Sequence, residues 1–427
     1  MKKRVESIDA LRGITIFLMI LCSSIGSNSG LPAWMFHCQV PPPDYVFKPE
    51  VRGITWVDLV FPFFIFSMGA AFPLALRKRF DRGEGLVSII LGVVKRWVVL
   101  VAFALVIGNA DAAYASPAPA GVVTLWRLGV WLALFAALVK SRRKWVNIAG
   151  WLVLAGLMAV GQWALKVPLS QHNNDIIILL LSTVALLGSL IWIFTRDSIR
   201  LRSLVWLLVI ATKLIGWDFA MYLVIAIPAS IAGDVLMKSD RQHIADRRDA
   251  GAAFIALFAV LVQLWGLYTR NVFIDFALSF AAAAAFVLLT LKVRNAFSQI
   301  GWMGFAMLLA GIIFDRIDGG IAKDYCNMSY LLTTGGQTAL TLCFLLWNES
   351  RRQLSRTVVM TGQNPMIAYT VAWFVLCPFF SAIGLMEWVD GICAGSPVLG
   401  LCRGLFVTAA TVAVTCVFTK LKLFWRS

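Results

Sequence analysis

The sequence predicts an all-α, polytopic integral membrane helix bundle of about 11–14 transmembrane helices, and three observations predict it. Of 427 residues, 60% are hydrophobic and only 14% are charged, too little charge to cover a soluble surface of that size. Apolar runs recur that reach the roughly 20 residues a helix needs to cross a ~30 Å hydrocarbon core. The runs are continuous rather than alternating, which fits helices and not barrel strands of about 10 residues.

Taken in order, apolar segments fall near 8–27, 54–76, 91–112, 121–139, 145–165, 175–195, 203–215, 218–237, 251–269, 274–291, 298–314, 328–347, 357–383 and 398–419. The 203–215 segment is short and interrupted by Lys213, so it reads as an interfacial stretch or half of a hairpin with 218–237. No stretch is long enough for a soluble domain, and the chain reads as one membrane domain over 1–427. Loops on one face are short and basic: Lys2-Lys3-Arg4, Arg77-Lys78-Arg79, Arg142-Arg143-Lys144, Arg247-Arg248 and Arg351-Arg352. Loops on the other face hold only Lys48, Arg52, Lys166, Arg270, Arg316 and Lys323. This asymmetry puts the N-terminus in the cytoplasm. It also explains the net charge of +16 as topology, and no nucleic-acid partner is expected.

Asp9 and Arg12 interrupt what would be the apolar core of a signal peptide, and no A-x-A site follows, so the first helix reads as retained. The outer loops are about 28–53, 315–327 and 384–400. The first is stiffened by Pro41-Pro42-Pro43 and Pro49. The eight cysteines show no C-x-x-C spacing, and no metal site is expected. Cys38, Cys326 and Cys393 fall in outer loops, where disulfides can form.

The residues that can carry chemistry stand where these loops meet the spans. His37 is one of three histidines. It reads as a general base or as an ordinary loop histidine capping a turn. His172, in an outer loop, and His243, in a basic loop, read as solvated. Asp58 begins a span, where a carboxylate favours the helix dipole. In a functional role it orients a histidine or binds an amine, since an ionisable group so near lipid is expensive. Asp9 and Arg12 are three apart on one helical face and pair with each other, or Arg12 meets a phosphate-bearing ligand. Lys323, in the Gly-rich outer loop Asp318-Gly-Gly-Ile-Ala-Lys323, binds an acidic or carbonyl group, or sits in water. Asn364 lies inside an apolar segment and needs a partner, a neighbouring helix or a ligand. Arg127 is a membrane-embedded cation near the outer side and is expected to face a polar cavity.

Several blocks together resemble the transmembrane acyltransferases related to heparan-α-glucosaminide N-acetyltransferase. Ser7-Ile-Asp9-Ala-Leu-Arg12-Gly13 is similar to that family's S-x-D-x-x-R-G opening. Gly53-Ile-Thr55-Trp-Val-Asp58-Leu-Val-Phe61-Pro62-Phe-Phe-Ile-Phe66-Ser-Met68-Gly69 is similar to G-x-T-x-x-D-L-V-F-P-x-F-x-F-x-M-G. Ile321-Ala-Lys323 with Ser329-Tyr330 resembles its I-N-K and later S-F. Gly362-Gln-Asn364 with Tyr369 resembles its G-x-N-x-x-x-x-Y. The resemblance implies a catalytic histidine in the first outer loop, acetyl-CoA as donor from the cytoplasm, and an amino sugar or other glycan group as acceptor on the far side. It implies an inner (plasma) membrane protein of a bacterial branch with a longer first outer loop, and leaves room for a homodimer. In the family the histidine stands five residues before the Gly of G-x-T. Here that position is Lys48, and the nearest histidine, His37, is sixteen residues before Gly53. The family's Asn late in the first helix corresponds to Ser23.

On this reading His37, Asp58 and Ser23 are catalytic. Asp9, Arg12, Asn364 and Tyr369 hold the donor, and Lys323 and Arg127 hold the acceptor. Coenzyme A is too polar to cross lipid, so donor and acceptor must meet inside the bundle, and a polar tunnel is expected. Embedded Arg127, Lys213 and Asp58 also fit a small-molecule transporter, although no clear repeat relates the two halves. A third reading is a non-catalytic subunit of polysaccharide assembly.

Overall fold

Backbone groups in lipid must satisfy one another, and only helices or closed barrels do so. This chain uses helices. The computed structural model describes residues 4–25, 30–141, 143–218, 220–238 and 247–425; His243 lies outside them. Among the described residues there is no strand, only an isolated bridge between Val139 and Trp425. The helices are α1 (Glu6–Ser24), α2 (Val60–Asp81), α3 (Leu86–Ala112), α4 (Ala120–Leu138), α5 (Lys144–Trp163) and α6 (Ile176–Thr195). Then come α7 (Ile199–Leu214), α8 (Leu223–Lys238), α9 (Arg247–Tyr268), α10 (Val272–Thr290), α11 (Ala296–Ile317) and α12 (Met328–Ser350). Last are α13 (Arg356–Gln363), α14 (Pro365–Val371), α15 (Cys377–Ala382), α16 (Leu385–Cys393) and α17 (Pro397–Lys420). Among the described residues, 11 helical stretches are long and apolar enough to cross a membrane. The molecule is an all-α polytopic membrane bundle.

Two segments depart from the sequence expectation, and 203–215 takes the second of its two expected forms. The 203–215 and 218–237 segments form a hairpin of two 16-residue helices, α7 and α8, with Lys213 bonded to Asp218 at its turn. The 357–383 segment is not one helix. Asn364 stands at φ −130°, ψ 55° between α13 and α14, because the residue before Pro365 is pushed out of the helical region. A five-residue π-turn, Ala372–Leu376, follows before α15. The segment 384–400, expected as a loop, contains the helix α16, entered through Gly384 at φ +72°.

The helix α12 falls outside the hydrophobic set because it touches little lipid. Thr333, Thr334, Gln337 and Thr338 are all fully buried along it, so its polarity faces protein. All eight cysteines are free, Cys38, Cys326 and Cys393 included.

The apolar core divides into two large clusters. One joins α1, α2 and α8–α12 through residues such as Phe63, Phe66, Phe286, Leu308 and Leu340. The other joins α3, α4 and α14 through Phe103, Trp126, Trp131, Leu134 and Ile367. Close approach seats α1 against α13: a Cβ on Gly362 would lie 1.8 Å from the Asp9 carbonyl oxygen.

Candidate active site

The N-terminus of α2 is built by its own sequence. Thr55 caps a short 3-10 turn, Trp56–Leu59, and its backbone N–H donates to Asp58 Oδ2 at 2.8 Å, the reciprocal bond of a capping box. This locks a fully buried carboxylate with its second oxygen, Oδ1, free to reach outward. The Thr55 hydroxyl also donates to the Phe36 carbonyl at 2.8 Å, which ties the first outer loop to α2 one residue before His37. Gln39 reinforces the tie by donating to the Val51 and Gly53 carbonyls at 3.0 and 3.3 Å. Gly53 must be glycine: it sits at φ +132°, and a Cβ would press on the Leu267 carbonyl and Cys38 Sγ at 3.0 and 3.1 Å.

The result is that His37 Nδ1–H donates to Asp58 Oδ1 at 2.6 Å. Lys48, in the position where the resembled family keeps its histidine, instead pairs with Asp44 at the surface, 2.9 Å away. The longer loop folds His37 back onto Asp58. With Nδ1 facing a carboxylate, the neutral ring keeps its lone pair on Nε2.

Lys323 arrives from the other end of the chain. Gly319 and Gly320, at φ +71° and +110°, make the turn after α11. Arg270 holds Asp315 through two bonds of 2.8 Å, and Asp315 Oδ1 accepts from the Ile321 N–H at 2.6 Å. The Ile321 carbonyl accepts from Gly53 N–H at 2.9 Å, joining the two loops. Lys323 Nζ therefore reaches His37 Nε2 at 2.9 Å and lies 3.9 Å from Asp58 Oδ1. Tyr330, fully buried on α12, donates to the Asp58 carbonyl at 2.8 Å. The sequence singled out His37, Asp58 and Lys323 separately; the fold makes one cluster of them. Burial, aided by Asp58, pushes the neighbouring Cys38 thiol up to about 12, so it remains a thiol.

His37 and Lys323 line a cavity of about 580 Å³. Its walls come from both core clusters: α1 and α2 on one side, α3, α6 and α14 on the other. Along α2 the lining runs from Val60 to Arg79, about 28 Å at 1.5 Å per residue, close to the ~30 Å of a hydrocarbon core. The middle is apolar, with Phe61, Phe64, Met68, Phe72, Trp97 and Leu181. Cys22 and Ser23 line the His37 end, with the Ser23 hydroxyl donating to the Met19 carbonyl at 2.8 Å.

The far end is cationic. Arg79 donates to Glu84 at 2.8 Å and fills the notch left by Gly92, where a Cβ would be 2.4 Å from Nη1. Arg96 is accessible within the cavity, a turn further along α3. Arg12 lies deeper. Its Nη2 donates to the Ser67 carbonyl at 2.9 Å, twelve residues up α2 from Arg79 and so about 18 Å inward. The first turn of α1 is drawn into the bundle, its Glu6 and Ser7 N–H groups capped by Glu349.

Other expected residues take different places. Asp9 is buried and pairs with Arg4 and, at 3.4 Å, with Arg12; it does not line the cavity. Arg127 does not reach it either. It is buried between Tyr114 and Phe374, 3.9 and 4.7 Å from their ring centroids, and bonds Asp111 at 2.6 Å. Asn364 and Tyr369 do line the cavity, Asn364 donating to the Leu423 carbonyl at 2.8 Å and Tyr369 to Asp175 at 2.5 Å. His172, on the surface, lies 3.2 Å from the Ser170 hydroxyl. Sequence reasoning missed Arg79 and Arg96 as site residues. Their one signal is Arg96 itself, a cation ten residues into a helix.

Comparison with known proteins adds a family but no activity. No curated protein matches the chain. A family model described as a domain of unknown function (DUF5009) matches residues 4–226, which carry His37, Asp58 and the three guanidiniums. With just over half of its length matched, the chain belongs to that family.

Proposed function

We propose that the protein is a transmembrane acetyltransferase of a bacterial plasma membrane. It takes acetyl from acetyl-CoA on the basic, cytoplasmic face and passes it to an amine or hydroxyl of a sugar on the other face. The observation that carries this reading is one continuous cavity that touches the His–Asp–Lys cluster at one end and Arg79 and Arg96 at the other. A donor with phosphates at one tip and a thioester at the opposite tip fits such a site. Guanidiniums match phosphates in charge and geometry, and the apolar middle takes the arm between.

Chemistry follows from the cluster. The acceptor attacks the thioester carbonyl carbon while His37 Nε2 takes its proton, and Asp58 holds the ring's tautomer and stabilises the imidazolium. Lys323, on a flexible stem, leaves Nε2 and faces the developing oxyanion; the Ser23 hydroxyl, once rotated off the Met19 carbonyl, is a second donor. Collapse breaks the C–S bond, and the imidazolium returns its proton to the coenzyme A thiolate.

The test uses purified protein in detergent with radiolabelled acetyl-CoA and a panel of amino sugars. Acceptor-dependent release of coenzyme A, lost in His37→Ala, is expected. Absence of acetyl-CoA binding or turnover overturns the reading. A transport reading has one observation in its favour, the helix break at Asn364 in the cavity wall. Sugar uptake into proteoliposomes without coenzyme A release is its signature.

A further inference from the structure

The last described residues turn back into the bundle. Beyond α17, the Leu423 N–H bonds the Phe418 carbonyl at 2.9 Å. The Leu423 carbonyl accepts from Asn364 Nδ2 at 2.8 Å, and Lys140 N–H donates to the Phe424 carbonyl at 2.9 Å. Trp425 then bridges Val139. Its indole, 8% exposed, lies edge-on to Phe103 at 5.5 Å and tilted against Trp131 and Phe135, both at 6.1 Å. It is also part of the cavity wall.

The indole Nε1–H of Trp425 has no partner. Its neighbours do not share that fate: Trp131 donates to the Thr370 hydroxyl at 2.8 Å and Trp126 to the Leu157 carbonyl at 2.6 Å. An unmade bond at a buried donor is unfavourable, and phenylalanine would supply the same ring contacts without it. A donor left over on a residue of the cavity wall is completed when a ligand reaches it.

We propose that the C-terminal tail Leu421–Trp425 is a wall of the donor site and that the Trp425 indole N–H bonds an amide carbonyl of the donor's pantetheine arm. The placement argues for that arm. Phe103, against which Trp425 packs, follows Arg96 by seven residues on α3, about 10 Å. Phosphates gripped at Arg96 set the amide-bearing stretch beside Trp425. The carbonyls of that stretch need donors, and the Trp425 N–H is one that no protein group uses. The inference rests on the acyl-donor reading above.

The experiment measures coenzyme A binding by calorimetry in wild type and Trp425→Phe, and backbone hydrogen exchange over 421–427 in wild type with and without coenzyme A. Expected are a roughly fivefold weaker Kd in the variant, within the range for one buried neutral hydrogen bond, and slower exchange of the tail when coenzyme A binds. Equal affinity in Trp425→Phe, or a tail whose exchange ignores coenzyme A, overturns the tail's role while leaving the donor reading standing. Wild-type protein that does not bind coenzyme A brings both down.

Discussion

Asp58→Asn isolates the chemistry of the outer cluster from donor binding. Asp58 is fully buried and accepts from His37 Nδ1 at 2.6 Å and from Thr55 N–H at 2.8 Å. An amide of the same shape has one acceptor where the carboxylate has two. Thr55 keeps it, and the NH₂ then faces His37 as a donor, so the neutral ring is driven to protonate Nε2. The base loses its lone pair on the cavity side. Losing one charge-assisted bond costs about 1.5–3 kcal/mol, roughly a 10- to 150-fold loss of rate at 1.4 kcal/mol per tenfold. The wrong tautomer extends this toward about 10⁴-fold, as in the serine-protease triad. We therefore expect kcat for acetyl transfer to fall by at least about tenfold, with the Kd for acetyl-CoA nearly unchanged because the guanidiniums are untouched. The assay pairs single-turnover transfer from radiolabelled acetyl-CoA with calorimetric binding. Transfer at the wild-type rate in a variant that binds donor normally refutes the role given to the His37–Asp58 pair.

Other expectations are independent of that one. Arg79→Ala and Arg96→Ala should each weaken acetyl-CoA binding by about tenfold, the value of one charge-assisted contact, and leave binding of a phosphate-free acetyl thioester unchanged; equal losses for both ligands contradict a phosphate grip. Burial pushes the Cys38 and Cys326 thiols up to about 12 from 9.0. Both should resist maleimide at pH 7.5 in the folded protein and react after denaturation. Because those folded values are raised, the stability they protect is complete below pH 9 and is lost as pH rises from 9 toward 12; a melting temperature flat across that range in wild type counts against it. Gly362→Ala places a methyl group 1.8 Å from the Asp9 carbonyl and should cost about 1–3 kcal/mol, read as a lower melting temperature in detergent.

How far the sequence carries depends on who pays for each residue's environment. Lipid demands continuous apolar faces, so helices such as α3 and α6 announce themselves. The helix α12 touches mainly protein, and its Thr333, Gln337 and Thr338 blur its signal. The break at Asn364 is written in Asn-Pro, yet hydropathy alone runs across it. In the site, Asp58 was legible because a carboxylate at a span's mouth is costly, and His37 because histidine is scarce. Their contact was not. It depends on the Thr55 hydroxyl holding the loop, and Lys323 comes from 286 residues away. Arg79 and Arg96 read as topological charge, since sequence cannot distinguish a guanidinium facing headgroups from one facing a cavity. Arg127 shows the converse error: an embedded cation that does not face the cavity, held by one bond from Nη2 to Asp111 across the α3–α4 connection and by two aromatic faces.

The two ends of the cavity make different demands, and this bears on what can occupy it. Among the described lining residues there is no carboxylate, while Arg79 and Arg96 stand at one mouth and Arg12 lies deeper. A small anion entering there meets cations at the mouth and again at Arg12, and the opposite end meets it with another, Lys323. Such a gradient favours retention over passage, because conduction or transport needs sites weak enough to leave. A cationic sugar finds no carboxylate among the described lining residues. A donor carrying phosphates, an apolar-to-amide arm and a thioester satisfies each level at once without travelling. Its reactive end then stands at His37, on the loop side, where an acceptor reaches it without entering the membrane. The grip is also divided: Arg12 and Arg79 belong to α1 and α2, Arg96 to α3. On the proposed reading, the ligand that delivers the acetyl group would therefore also tie α1 and α2 to α3 while the transfer takes place.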